Sequence, residues 1–340
     1  MWNFNLTRPF IENGTSPVVT QLVSLSLRNT FLTVNGGILL LLSVAGLPIN
    51  ILNMMAFRKL GFDISMNISL FALSAADFAC ACLYAALAVI MQDMSGLIDL
   101  SIDLNDVQFM LGIVIVCLSA YGSCVTALIN LERCCCVIFP TKFKDYFTRK
   151  STICLLTAML AVQMGIIATC TGSSSFSVTK SPTSGGRSRL RLKTSRLGRI
   201  FFIELLFWGA SVPFMLSFVG IVVSTIFLST ALNQRNRWLK SLPGSQIETI
   251  AKNQKLVGTV VAISATYIIC FLPKVTVSFV DLFNPALNPM VTSKGNIAFV
   301  GVSFMRIFQA FSGMFNIFIY VKMNSKFRQY LKKLLCCSPE

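Results

Sequence analysis

MLGIVIVCLSAYGSCVTALINLERCCCVI, residues 110–138, runs twenty-two residues without a charge before it meets Glu132 and Arg133. A helix crossing the hydrocarbon core of a bilayer needs about 20 predominantly apolar residues, and this stretch supplies them. Six others do the same: 31–57, 66–91, 151–170, 200–232, 256–280 and 297–321. Loops rich in Gly, Pro, Ser or charge separate them. The longest is about 29 residues, so no soluble domain fits between spans. The fold class predicted is all-α, a seven-transmembrane helix bundle over residues 31–322. A segment at 1–30 precedes it and a short surface helix with a tail, 323–340, follows. The two halves show no internal repeat, which argues against a transporter built from repeated units.

Composition agrees. Soluble domains carry about 25% charged residues; this chain carries 12% and is 54% hydrophobic. Its formal charge of +16 is therefore read as loop charge beside a membrane, with no nucleic-acid partner. Histidine is absent, which removes most zinc sites and histidine-based acid–base chemistry. The twelve cysteines follow no metal-ligand or disulfide-framework spacing. No nucleophile with a base and no Gly-rich phosphate loop is present, so no enzyme is expected. The polar segment from Met1 to Pro17 does not read as a cleavable signal peptide.

Cations flank the spans on one side: Arg58 and Lys59, then Lys142, Lys144, Arg149 and Lys150, then Arg235, Arg237, Lys240, Lys252 and Lys255. The tail adds Lys322, Lys326, Arg328, Lys332 and Lys333. Positive charge marks the cytoplasmic side. An odd number of spans then puts the N-terminus outside, where the sequons at Asn5 and Asn13 could be glycosylated. One outer loop breaks the charge rule. Residues 171–199 hold Lys180, Arg187, Arg189, Arg191, Lys193, Arg196 and Arg199, while the loop before span three holds Asp93, Asp99, Asp103 and Asp106. Either the two loops attract each other, or the basic one draws in an anionic ligand.

Ionisable residues inside spans are costly and mark function by default: Asp77, Glu132, Arg133, Glu204, Lys274 and Arg306. Asp77, with Asn50, Ser312 and Asn316 at comparable depth, could hold a sodium ion or enclose a water-filled hydrogen-bond network. Glu132 and Arg133 make a plausible charge-assisted latch, or a plain interfacial anchor. After span seven, Phe327, Leu331, Leu334 and Leu335 share one helical face, opposite Lys and Arg, as in a helix lying on the inner leaflet. Cys336 and Cys337 follow, where palmitoylation would add a second anchor.

These residues together resemble rhodopsin-like G-protein-coupled receptors over about residues 30–337. Asn50 matches the family's first-span asparagine and Asp77 its second-span aspartate. Glu132-Arg133-Cys134 is similar to the acid-Arg-Tyr motif, with Cys for Tyr, and Pro213 stands at the fifth-span proline. Cys270-Phe271-Leu272-Pro273 is similar to Cys-Trp-x-Pro, with Phe for Trp. Asn316 and Tyr320 match the ends of Asn-Pro-x-x-Tyr, with Ile317 for Pro. The text around Asn50 and Arg133 is similar to molluscan chemosensory-type receptors, neighbours of invertebrate neuropeptide receptors. The resemblance implies an activation switch of Glu132, Arg133, Phe271, Pro273, Asn316 and Tyr320. It also implies a ligand pocket lined by Gln108, Leu111, Ile115, Ser119, Phe271, Lys274 and Arg306.

The departures narrow the ligand. Gln108 stands where the family has its outer-disulfide cysteine, and residues 171–199 contain no cysteine. Span four lacks its usual tryptophan, and Ile221 replaces the span-five tyrosine. Ile115 replaces the amine-binding aspartate and Ala310 the retinal-binding lysine, which argues against both ligand types. Lys274 and Arg306 remain as cations that need an anion: Glu204 or Asp281 within the protein, or an acid on the ligand. The function expected is a plasma-membrane receptor. It would bind an extracellular ligand, small or peptidic and anionic, and activate a heterotrimeric G protein in chemosensation, with no cofactor beyond an allosteric sodium ion. Alternatives are a neuropeptide receptor and, from another class, a membrane transporter or channel.

Overall fold

The computed structural model describes residues 24–98, 102–103, 105–139, 147–172, 174–180, 188–194, 205–239, 247–283, 295–323 and 325–335. Asn5, Asn13, Glu204, Cys336 and Cys337 lie outside them. The helices are α1 (Leu25–Leu60), α2 (Ser65–Ser95), α3 (Asn105–Ile138), α4 (Arg149–Gly172), α5 (Val212–Leu239, entered through a π-helical turn at Phe207–Ser211), α6 (Ile247–Phe283), α7 (Gly295–Met323) and α8 (Ser325–Leu335). Among the described residues, seven helices are long and apolar enough to cross a membrane.

Exposure is inverted relative to a soluble protein. Leu41 (73%), Leu216 (68%) and Ile269 (68%) face outward, while Asn50, Ser69, Ser123, Glu132 and Ser264 are buried. That is the pattern expected when the surrounding solvent is hydrocarbon. Several helices overrun the bilayer. α1 has 36 residues and α6 has 37, or about 54 Å each at about 1.5 Å per residue, against a core of about 30 Å. At one end of α1, Ser24 Oγ accepts from Leu27 N (3.2 Å). At the other, Gly61 turns the chain with φ 87°, and its N–H bonds Arg58 O at 3.2 Å. A left-handed residue there favours glycine.

A three-stranded sheet forms from the segment before α3 and the segment after α4: β1 (Ile102–Asp103), β2 (Ser174–Lys180) and β3 (Ser188–Thr194), in the order β1-β3-β2. β2 and β3 form an antiparallel hairpin, and β1 adds in parallel to β3 with Asp103 in register with Arg189. Backbone pairing thus joins the acidic and basic loops where no disulfide can. It is an addition to the expected all-helical bundle. Asp93, read above as loop, is instead buried in the last turn of α2.

The π turn before α5 has a local cause. Pro213 has no N–H to give the carbonyl four residues back, which is that of Gly209. Gln163 Nε2 of α4 donates to that oxygen at 2.9 Å. Replacing Gln163 by Leu should leave the carbonyl unsatisfied, at about 1–3 kcal/mol. The check is thermal unfolding of the purified chain, where an unchanged midpoint would refute the role.

α8 docks as its amphipathic pattern requires. Phe327 and Leu331 are buried and Leu334 is half-buried, while Lys326, Arg328, Lys332 and Lys333 are exposed. Phe327 packs on Phe57 and Tyr320, with ring centroids 5.4 and 5.5 Å apart.

Candidate ligand site and switch core

The polar residues predicted at mid-depth converge. A cavity of about 40 Å³ is lined by Asn50, Asp77, Ser119, Ser123, Ser312 and Asn316, with Tyr84, Phe271 and Gln309 toward its outer end. Asn316 Nδ2 donates to Asp77 Oδ2 at 3.1 Å, tying α7 to α2. Asn50 Nδ2 bonds Gly46 O at 3.0 Å within α1, and its Oδ1 is buried without a partner among the described residues. Glycine makes the α2–α7 approach possible. A Cβ on Gly313 would stand 3.1 Å from Asp77 Cγ and 3.3 Å from its Cβ. Gly313→Val should therefore push α7 away from Asp77 and lower the yield of folded protein at the cell surface; normal yield would contradict this close approach.

The cavity is too small for a ligand, since such pockets run to about 300–1,000 Å³, but roomy enough for a few waters or a small ion. The expected pocket residues only partly share it. Ser119 and Phe271 line it. Gln108 is buried and Leu111 half-buried on α3, while Ile115 packs with Tyr84, Leu87 and Ala310. Tyr84 Oη donates to Gln309 Oε1 at 2.9 Å.

Lys274 and Arg306 are half-buried, and neither forms an ion pair among the described residues. Lys274 Nζ sits 4.1 Å from the centroid of the Phe214 ring and 6.0 Å from that of Phe271. Aromatic faces supply partial compensation for the missing carboxylate. Arg306 lies against α3 at Gly112, where a Cβ would stand 3.6 Å from Nη2. The side chains of Glu204 and Asp281 lie outside the described residues.

From Lys274 a series of contacts runs along one face of α6, at steps of three and four residues. Phe271 stacks on Tyr267, with centroids 4.2 Å apart and planes at 14°. The Tyr267 and Ser123 hydroxyls share a hydrogen bond. Ser264 Oγ donates to Asn130 Oδ1 at 2.9 Å. Ser123 and Asn130 are seven residues apart on α3, so the two bonds fasten α6 to α3 along one seam. None of these four residues was among the sequence candidates. They are polar but uncharged, so a search for ionisable groups passes over them.

Near the C-terminal end of α3, Arg133 Nη2 meets Glu132 Oε1 at 3.3 Å, and both residues are buried. Ser65 Oγ of α2 donates to the same carboxylate oxygen. Glu132 Oε2 and Arg133 Nε have no partner among the described residues, so within these the pair is only partly satisfied. Tyr320 is buried beside Phe57 with its hydroxyl unpaired among the described residues, and Pro273 lies inside α6 without ending it.

Residues 40–176 match the family model described as serpentine type 7TM GPCR chemoreceptor Srx. The match runs from within α1 into β2 and takes in Asn50, Asp77, Glu132 and Arg133. No curated protein matches the chain. Members of such a family are receptors and not enzymes. Seven apolar spans among the described residues, a buried polar core and this match agree: the chain is a multi-pass membrane protein, similar over residues 40–176 to the serpentine chemoreceptors of the Srx family.

Proposed function

We propose that the chain is a plasma-membrane receptor, N-terminus outside. It binds an extracellular ligand bearing an acidic group between Lys274 and Arg306 and activates a heterotrimeric G protein. The observation that carries this is Lys274, a cation held over aromatic rings at the head of the α6–α3 seam. A carboxylate offers it a charge-assisted partner, stronger than a ring face. Drawing the ammonium away from Phe214 and Phe271 loosens the stack on Tyr267. α6 then swings at Pro273, the bonds to Ser123 and Asn130 part, and Arg133 leaves Glu132 as a cytoplasmic cleft opens. The basic inner loops suit an acidic partner surface.

Magnitudes favour the use of both cations. Shifting a two-state equilibrium from 1:99 to 99:1 takes about 5.5 kcal/mol of differential binding. One hydrogen bond to a charged group is worth about 1.5–3 kcal/mol, so a single contact falls short and two reach the required range. The test is a reporter cell expressing the chain, challenged with carboxylates, sulfonates, free-acid peptides and their amidated forms. Acids are expected to signal and amidated forms to fail. A response to amidated peptides alone would favour the neuropeptide-receptor alternative.

The residues around Asp77 also fit a sodium ion. Asp77 supplies a charge, the Asn50 Oδ1 an unpaired buried oxygen, and Ser119, Ser123 and Ser312 hydroxyls line the same cavity. Bound there, sodium would neutralise the carboxylate and favour the closed arrangement. Sodium chloride should raise the thermal midpoint of the purified chain above that in choline chloride, by mass action on the folded state, and Asp77→Asn should erase the difference. Equal midpoints in the two salts would argue for water alone.

A further inference from the structure

None of the ten cysteines among the described residues is in a disulfide. Five are buried in the bundle, but three that are not gather around one inner loop. Cys135 and Cys136 lie in the last turn of α3, which ends at Ile138, and Cys154 lies in the second turn of α4, which begins at Arg149. At about 1.5 Å per residue, all three are within about 8 Å of a helix end. Cys154 is exposed, and Cys135 and Cys136 are half-exposed. Cys135 shares a helical face with Leu131 (53% exposed) and Ile138 (49%). Cys154 is flanked by Ile153 (42%) and Leu155 (41%). These apolar side chains face lipid, so the thiols sit where a hydrocarbon chain could lie along the helices. The intervening sequence is basic, with Lys142, Lys144, Arg149 and Lys150, which suits an anionic leaflet surface.

Cys82 provides the contrast. It too is exposed, but it lies seventeen residues into α2 from Ser65, about 26 Å along the helix. That depth is out of reach of the aqueous face.

We propose that Cys135, Cys136 and Cys154 form an S-acylation cluster that fastens the α3–α4 inner loop to the inner leaflet. A cysteine sulfur attacks the thioester carbonyl of a long-chain acyl-coenzyme A. A new S–C(acyl) bond forms, the coenzyme A S–C bond breaks, and coenzyme A leaves as its thiol with the cysteine's proton. No oxidant or reductant is needed. The chain then lies over Leu131 or beside Ile153 and Leu155, and adds a second hydrophobic anchor to a polybasic segment, a pairing that gives stable attachment. The inference rests on the cytoplasmic side assigned from the basic loops. It does not depend on any ligand.

The experiment uses the full chain in cells. Free thiols are blocked, thioesters are cleaved with neutral hydroxylamine, and each released thiol is tagged with a polyethylene-glycol maleimide that adds a visible mass step. In a Cys336→Ser, Cys337→Ser background at least one hydroxylamine-dependent step is expected. Adding Cys135→Ser, Cys136→Ser and Cys154→Ser should remove it. No step in the tail variant, or a step that survives the five substitutions, would overturn the proposal. Mass spectrometry of the unsubstituted chain tests the same point without variants: peptides covering 134–142 and 150–158 should carry hydroxylamine-labile acyl groups, and unmodified peptides alone would overturn it. A C-terminal epitope stained before and after permeabilisation reports the orientation separately.

Discussion

Lys274→Glu and Arg306→Glu are each expected to abolish the response to an acidic agonist, with half-maximal concentrations raised at least about a hundredfold and receptor still at the surface. The reason is additive in charge. Each substitution removes a cation and places a carboxylate where the ligand's own acid must sit. Losing a charge-assisted contact costs about 1.5–3 kcal/mol, and like-charge repulsion in a desolvated site adds to that, with about 1.4 kcal/mol per factor of ten. Lys274→Gln, which removes the charge without reversing it, should give a smaller shift of about ten- to a hundredfold by the same arithmetic. The ratio between the two variants separates a charge effect from a steric one. An unchanged dose–response in Lys274→Glu would remove the acid-binding site from the account.

The second large effect concerns basal signalling. Asn130→Ala and Ser264→Ala each remove the 2.9 Å bond between α3 and α6, and Tyr267→Phe removes the hydroxyl that reaches Ser123. If these bonds exist only in the closed arrangement, losing one tilts the balance toward the open one by about 1–1.5 kcal/mol, or about five- to tenfold in population. Ligand-free second-messenger output, normalised to surface receptor, should rise accordingly in each variant. The double variant Asn130→Ala, Ser264→Ala should exceed neither single by much, because both delete the same contact. Additive increases would mean that the two residues act through different partners.

These expectations draw on a fold that was largely legible from sequence and on a site that was legible only in part. The spans announced themselves because lipid demands about 20 apolar residues in a row. Their ends did not, because hydropathy reads only the stretch within lipid. Residues 256–280 were readable as a span, while the helix runs Ile247–Phe283, its inner turns carrying Glu248, Lys252 and Lys255. The π turn at Phe207–Ser211 had no sequence mark of its own, though Pro213 four residues after Gly209 and a lone Gln163 in span four together hinted at a carbonyl needing a donor. The alternation in Ser188-Arg-Leu-Arg-Leu-Lys-Thr194 has the period of a strand, but read for charge alone it looked like a solvated loop. Asp77, Asn50, Ser312 and Asn316 were found because polar groups in lipid are conspicuous, and they do line one cavity. The seam of Ser123, Asn130, Ser264 and Tyr267 escaped because serines and a tyrosine are common enough in spans to pass as packing. The aromatic seat of Lys274 could not be inferred from spacing, since Phe214 reaches it from another helix.

The central claim is that an acid binding between α6 and α7 is relayed to a G protein. Its most direct test is the second-messenger response to the carboxylate panel in cells expressing the chain, run in parallel in cells lacking Gα subunits. A response in the first and none in the second is the result expected. An agonist-evoked current or uptake that persists without Gα subunits would contradict the receptor account and point to a channel or transporter instead.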